Sequence, residues 1–165
     1  MEVRYITPSD DRMAISRIYE ESWKYVYKNI IPQEFLDSIE AGRWVSALDS
    51  SDWYTLVCVE DGKYIGTSSF CRSRFPDYPK YGEIISIYLL PDYIGKGYGE
   101  KLFDKAVYEL KKQGYDKLLL WVLEDNTLAK NFYKKHNFIE TENVMDDNIG
   151  GKSLREVMYI SEPRR

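Results

Sequence analysis

Only two cysteines, Cys58 and Cys71, stand in the 165 residues. Their spacing matches no metal or redox motif. Both fall inside apparent strands, where buried, reduced thiols are the default of a reducing cytosol. His136 is the single histidine, and no GxSxG or other nucleophile motif accompanies it. It stands near the end of a helical stretch, where a polar tip is commonplace, and reads as structural. No apolar run approaches the roughly 20 residues needed to cross a bilayer. The opening segment MEVRYITPSDD is too polar for a signal-peptide core. These absences point to a cytoplasmic protein with no membrane partner and no bound metal. No cluster of Lys and Arg stands out either, and the net charge is −4. That balance excludes a role on nucleic acid. The mild acidic excess fits a cationic small molecule or peptide, and it fits plain solubility equally well.

What the chain does have is aromatic surface: 15 Tyr, 6 Phe and 4 Trp, enough to line a pocket as well as fill a core. The aromatic content also permits a homodimer. The length suits one domain, 1–165, with no repeats, low-complexity segments or linker. Alternating and continuous apolar runs predict strands over 3–6, 54–60, 63–72, 82–90 and 117–123, with a last hairpin over 138–145 and 154–160 joined by 146–151. Asp61-Gly62 is a two-residue hairpin signal. Apolar residues at helical spacing predict helices over 11–27, 33–39, about 97–113, and after Asp125-Asn126-Thr127, with a further turn or two at 43–48. Trp23, Tyr25 and Tyr27 on the first helix are candidates for one wall of a cleft. This order predicts an α/β fold, a mixed, mostly antiparallel sheet of about seven strands flanked by helices on both faces.

The stretch that organises the rest is 82–110. An apolar strand runs into Gly95-Lys96-Gly97-Tyr98-Gly99, which opens an amphipathic helix. Backbone N–H groups converge at such a helix start and the helix dipole favours negative charge, so a phosphate-bearing ligand is the first expectation. The run is no Rossmann fingerprint, because GxGxxG needs glycine where Glu100 stands, and GxxxxGK[ST] is absent.

Lys96-Gly97-Tyr98-Gly99 resembles the last four positions of the Gln/Arg-x-x-Gly-x-Gly/Ala signature of the GNAT N-acetyltransferase superfamily, with Ile94 where Gln or Arg is usual. The run from Asn126 to Phe138, with Ala129, Phe132 and Tyr133, resembles that family's N-x-x-A-x-x-F-Y-x-x-x-G-F segment, with Asn137 in place of glycine. The order of elements agrees over essentially the whole chain.

The resemblance implies the GNAT fold and acetyl transfer from acetyl-CoA, as co-substrate, to a primary amine of a small molecule, polyamine or peptide. It assigns Ile94, Gly95, Lys96, Gly97, Tyr98, Gly99 and Glu100 to the CoA pyrophosphate. A bulge in the fourth strand would let Ile87, Tyr88 and Leu89 offer backbone groups to the pantetheine arm and the acetyl carbonyl, where an N–H stabilises developing oxyanion charge. Asn126 would bond the pantetheine or cap its own helix. Tyr133 stands where the family places its acid, beside the CoA sulfur. Glu83 is the candidate base, on a strand face expected to carry Ile85 and Ile87 and so to raise its pKa. Asp146 and Asp147 fall in the last connector, as a solvated turn or an attraction for a cationic acceptor. Two alternatives stay open here. One is a non-catalytic acyl-CoA-binding module of the same fold, motivated by Ile94 and Asn137. The other is an unrelated nucleotide binder.

Overall fold

The computed structural model describes residues 1–163. Seven strands form one sheet: β1 (Glu2–Tyr5), β2 (Tyr54–Glu60), β3 (Lys63–Arg72), β4 (Tyr81–Leu89), β5 (Lys117–Leu123), β6 (Ile139–Ile149) and β7 (Lys152–Ser161). Their spatial order is β1-β2-β3-β4-β5-β7-β6. Five helices cover it: α1 (Arg12–Val26), α2 (Gln33–Asp37), α3 (Val45–Leu48), α4 (Tyr98–Lys112) and α5 (Thr127–Lys135). No helix among the described residues is long and apolar enough to cross a membrane.

Helix α1 starts at Arg12, one residue inside the expected span 11–27. Asp11 is the cap, its carboxylate accepting from the Ala14 amide at 3.1 Å. Asp10 instead turns inward and takes two hydrogen bonds from Arg4, both 2.8 Å, and one from the Tyr64 hydroxyl at 2.7 Å. The Arg4 guanidinium holds the Asp10 carboxyl well below the usual range. Helix α1 lays Ile15, Ile18 and Tyr19 on the sheet, while Leu36 of α2 joins Ile31, Leu123 and Leu154 in a second cluster. On the opposite face α4 buries Leu102, Phe103, Ala106 and Leu110, its inward side at 3.6-residue spacing.

Two irregularities in the sheet create the functional space. The first lies between β4 and β5, which pair in parallel only at Tyr81–Lys117, Gly82–Leu118 and Glu83–Leu119. Past Glu83, β4 stays with β3 and β5 continues with β7, so the two strands part. The second is a bulge. Ser69 pairs with Ser86 and Phe70 with Ile84, which leaves Ile85 as an extra residue on β4. An inserted residue inverts the alternation beyond it. Glu83, Ser86 and Tyr88 therefore share the α1 face, and the Tyr88 ring lies tilted against that of Tyr19, 5.1 Å away. Leu89 looks to the α4 face, beside Leu102. The expectation that Glu83 and Ile87 share a face fails for this reason.

The last hairpin also differs from its expected shape. Strand β6 runs on through Asp146 and Asp147 to Ile149, and Gly150-Gly151 alone turn the chain. The carbonyl and amide ladder with β7 outweighs the low strand propensity of Asp and Asn in that run.

Candidate active site

Where β4 and β5 part, a cleft of about 560 Å³ opens. One end is built by β4 and the head of α4. Ile94 closes a 3₁₀ turn by donating to the Pro91 carbonyl at 3.2 Å. Gly95 and Gly97 then adopt φ of 79° and 88°, a left-handed conformation that glycine enters without steric cost. A Cβ at either position would meet no protein atom within 4 Å, so both look into open space. Gly97 is the cap of α4, and its carbonyl accepts the first helical bond, from the Lys101 amide. Among the described residues, no backbone amide from Gly95 to Glu100 donates to a protein acceptor. These are the orphan donors of a helix start, brought together around one point. A Cβ at Gly99 would stand in ordinary contact with Leu89, at 3.4 Å. Lys96 lies over the Tyr93 ring, and Lys135 stands 3.7 Å from the Glu100 carboxylate at the rim.

Helix α5 forms the adjoining wall. Asn126 caps it, accepting from the Ala129 amide at 3.1 Å, and is itself buried at the cleft. At the far end Asn137 takes φ of 67°, the Phe138 amide donates to the Tyr133 carbonyl, and the Asn137 amide donates to that of Lys134. That is a Schellman ending with asparagine in the glycine position, where asparagine is the usual substitute. Tyr133 is buried and faces the cleft, its ring packed on Phe103 and Tyr159. Burial, with a smaller effect from Tyr88, raises its pKa well above that of a free tyrosine. It is therefore a protonated hydroxyl, able to donate, across the neutral range.

The other end is made by α1, β5, β6 and β7. Trp23 and Tyr27 line it, whereas Tyr25 points away and is exposed. Burial pushes the Tyr27 hydroxyl up to about 12. Trp121 of β5 packs its ring 5.3 Å from Phe75, and its indole N–H is buried without a partner. The Ser86 hydroxyl is likewise buried and unpartnered at the cleft. Asp147 lines this end, while Asp146 alternates outward toward Arg155.

The structure separates Glu83 from the other candidate residues. Its side chain is almost wholly buried and does not line the cleft. Arg74 donates to it three times, from the backbone amide and Nε to Oε1 at 3.1 Å each, and from Nη2 to Oε2 at 2.6 Å. The apolar surroundings expected for this carboxylate are thus replaced by a bidentate guanidinium. Three carboxylates do line the cleft: Glu100 at the head of α4, Asp147 of β6, and Glu156 of β7, which is half-buried. Reasoning from sequence missed Glu156. A signal was present, because Glu156 interrupts the inward-facing set Leu154 and Met158 with a charge.

Comparison with known proteins gives the family and the fold. The family model described as "Acetyltransferase (GNAT) family" matches residues 13–138. An uncharacterized N-acetyltransferase, YuaI, of Bacillus subtilis is 29% identical over 152 residues, 90% of this chain and 86% of its own length. A spermidine N(1)-acetyltransferase of Thermoplasma acidophilum is 25% identical over 170 residues, spanning 98% of this chain and 99% of the relative. The crystal structure of a PaiA N-acetyltransferase from Thermoplasma acidophilum in complex with coenzyme A shares the fold. It has a TM-score of 0.70 and 23% identity, covering 94% of this chain and 98% of that one.

Proposed function

Because the chain belongs to the acetyltransferase (GNAT) family, we propose that it moves the acetyl group of acetyl-CoA directly to a primary amine carried by a small molecule, a polyamine or a peptide. The observation that carries this reading is the joining, in one cleft, of the unpartnered amides of 95–100 to the buried Tyr133 hydroxyl. The amides and the positive end of α4 fit a pyrophosphate. The parted edge of β4, with Ile87, Tyr88 and Leu89, fits a pantetheine arm that needs backbone partners and apolar walls. Asn126, engaged in its cap, keeps its side-chain amide N–H₂ free for the same arm. No group of three or more potential metal ligands exists among the described residues, and the chemistry assigned here uses none.

Bound acetyl-CoA supplies the activated acyl group. The protein holds it at both ends, offers an N–H of β4 to charge that develops on the carbonyl oxygen, and gives the Tyr133 proton to the departing sulfur. The Tyr133 hydroxyl, kept protonated by burial, suits that step. Titration calorimetry with acetyl-CoA, followed by thiol release across a panel of amines, tests the reading. Tyr133→Phe is expected to lower kcat about 100-fold or more while leaving acetyl-CoA affinity within about twofold. Full kcat in that variant removes Tyr133 from the chemistry. Binding without thiol release on any amine would leave the acyl-CoA-binding module.

A further inference from the structure

A free carboxylate stands at the acceptor end of the cleft. Glu156 lies cross-strand from Leu123 on β5 and Met145 on β6. Among the described residues, no hydrogen bond or ion pair takes up its carboxylate. Other carboxylates near the core are all engaged: Glu83 by Arg74, Glu20 by Ser16 and the Gly42 amide, Glu109 by Tyr5 and Lys105. A half-buried, unpaired carboxylate is costly to keep. Trp121 and Ser86 line the same cleft, their indole N–H and hydroxyl buried without a partner. An unpaired carboxylate lining a cleft suits a cationic ligand.

We propose that Glu156 accepts the proton of the acceptor ammonium, and that Glu83 acts as a positioning residue, holding Arg74 and the segment after β3 against Trp121. The proposal rests on the acetyltransfer reading above and supplies its missing base. In the step itself the ammonium N–H bond breaks and its proton passes to a Glu156 oxygen. The freed nitrogen lone pair forms the C–N bond to the acetyl carbon, and the C–S bond breaks with its electrons on sulfur. Tyr133 protonates that sulfur. The second nitrogen proton restores Tyr133 through solvent, and Glu156 releases its own proton to solvent. Two protons leave nitrogen, one ends on sulfur and one in water.

The groups that face Glu156 agree with this assignment. Burial comes first and the charge of Asp147 second in raising its carboxyl above the usual value, while Arg74 works in the opposite direction. Tyr27, Tyr88 and Tyr133 stay protonated above neutral pH and add no competing charge. Glu83 is neutralised by Arg74. A carboxylate so placed moves toward the range where a general base is effective at neutral pH.

The experiment compares Glu156→Gln with Glu83→Gln, using acetyl-CoA and saturating spermidine, alanine methyl ester or phenethylamine as probes. Glu156→Gln is expected to lower kcat about 100-fold or more, with unchanged acetyl-CoA binding, and to abolish the acid limb of the kcat pH profile. Glu83→Gln is expected to keep that limb and lose thermal stability. A Glu156→Gln variant that raises only KM, or keeps kcat and its profile, overturns the proposal, as does loss of the limb in Glu83→Gln alone. A second readout needs no turnover: carbon-13 NMR of labelled glutamate side chains. The carboxyl signal missing in Glu156→Gln should titrate above the other glutamates in the wild-type protein, and its titration within the ordinary range overturns the proposal. Wild-type protein that releases no thiol with any probe counts against acetyl transfer, and the NMR titration then decides on Glu156 separately.

Discussion

The two ends of the cleft are built by opposite strategies. At the end proposed for the cofactor the available groups are backbone amides, fixed by left-handed glycines and a helix start. At the acceptor end the groups are side chains on β5, β6 and β7, and their identity is everything. The same contrast divides the two glutamates. Glu83 is saturated by Arg74, whereas Glu156 is unpaired and is the base proposed above. Groups that bind a feature shared by a whole family can be written in backbone. Groups that select and deprotonate a particular acceptor must be written in side chains.

The largest effect on stability should come from breaking the saturated carboxylate. Arg74→Ala leaves Glu83 buried without its guanidinium. A wholly buried pair broken this way costs about 3–5 kcal/mol, and because Arg74 is half-exposed a loss of about 2–3 kcal/mol is expected. Urea unfolding measures it. A change under about 0.5 kcal/mol would show that Glu83 is not held as the hydrogen bonds imply, and the division between the two glutamates would collapse.

The cofactor end offers a gentler probe. Ile94 occupies the place where the GNAT signature carries Gln or Arg, so a side-chain donor is missing while the backbone path is intact. Ile94→Arg is expected to tighten CoA about 3- to 10-fold, as one exposed charge-assisted hydrogen bond would. Pantetheine, which lacks the pyrophosphate, should gain nothing. Equal gains for both ligands would move the pyrophosphate away from this loop.

How much was legible follows the same line. Strands β2 and β5 could be bounded from their apolar runs, because interior strands are decided by burial that the residues themselves carry, and β3 as the return from the Asp61-Gly62 turn. The anion loop was legible because left-handed turns need glycine. The bulge at Ile85 was not, since the skipped residue is chosen by pairing with β3, a partner distant in sequence. Its inversion of the alternation changed which residues accompany Glu83. Strand β6 was cut short by its run of Asp and Asn, which an edge strand with two exposed faces tolerates. Glu156 was hidden because the charged pair Arg155-Glu156 reads as solvent-facing, and only the neighbours Leu154 and Met158 say otherwise for Glu156.

The smallest predicted effect carries the sharpest sign. A carboxyl whose pKa is raised in the folded protein binds its proton more readily there than in the unfolded chain. Its contribution is favourable below the unfolded value, about 4.3, and is lost as the pH rises through the folded one. At pH 7 the charged Glu156 is therefore a cost, and Glu156→Gln should be more stable than the wild type, by less than about 1 kcal/mol. The gap should close as the pH falls below about 4, where both side chains are neutral. Asp10, held low by Arg4, behaves in the opposite sense: Asp10→Asn should destabilise at pH 7, with the difference shrinking only in strong acid. Thermal unfolding across this pH range separates the cases. A Glu156→Gln variant less stable than the wild type at pH 7 would class Glu156 with Glu83, as a carboxylate kept for structure, and the contrast between the two would be lost.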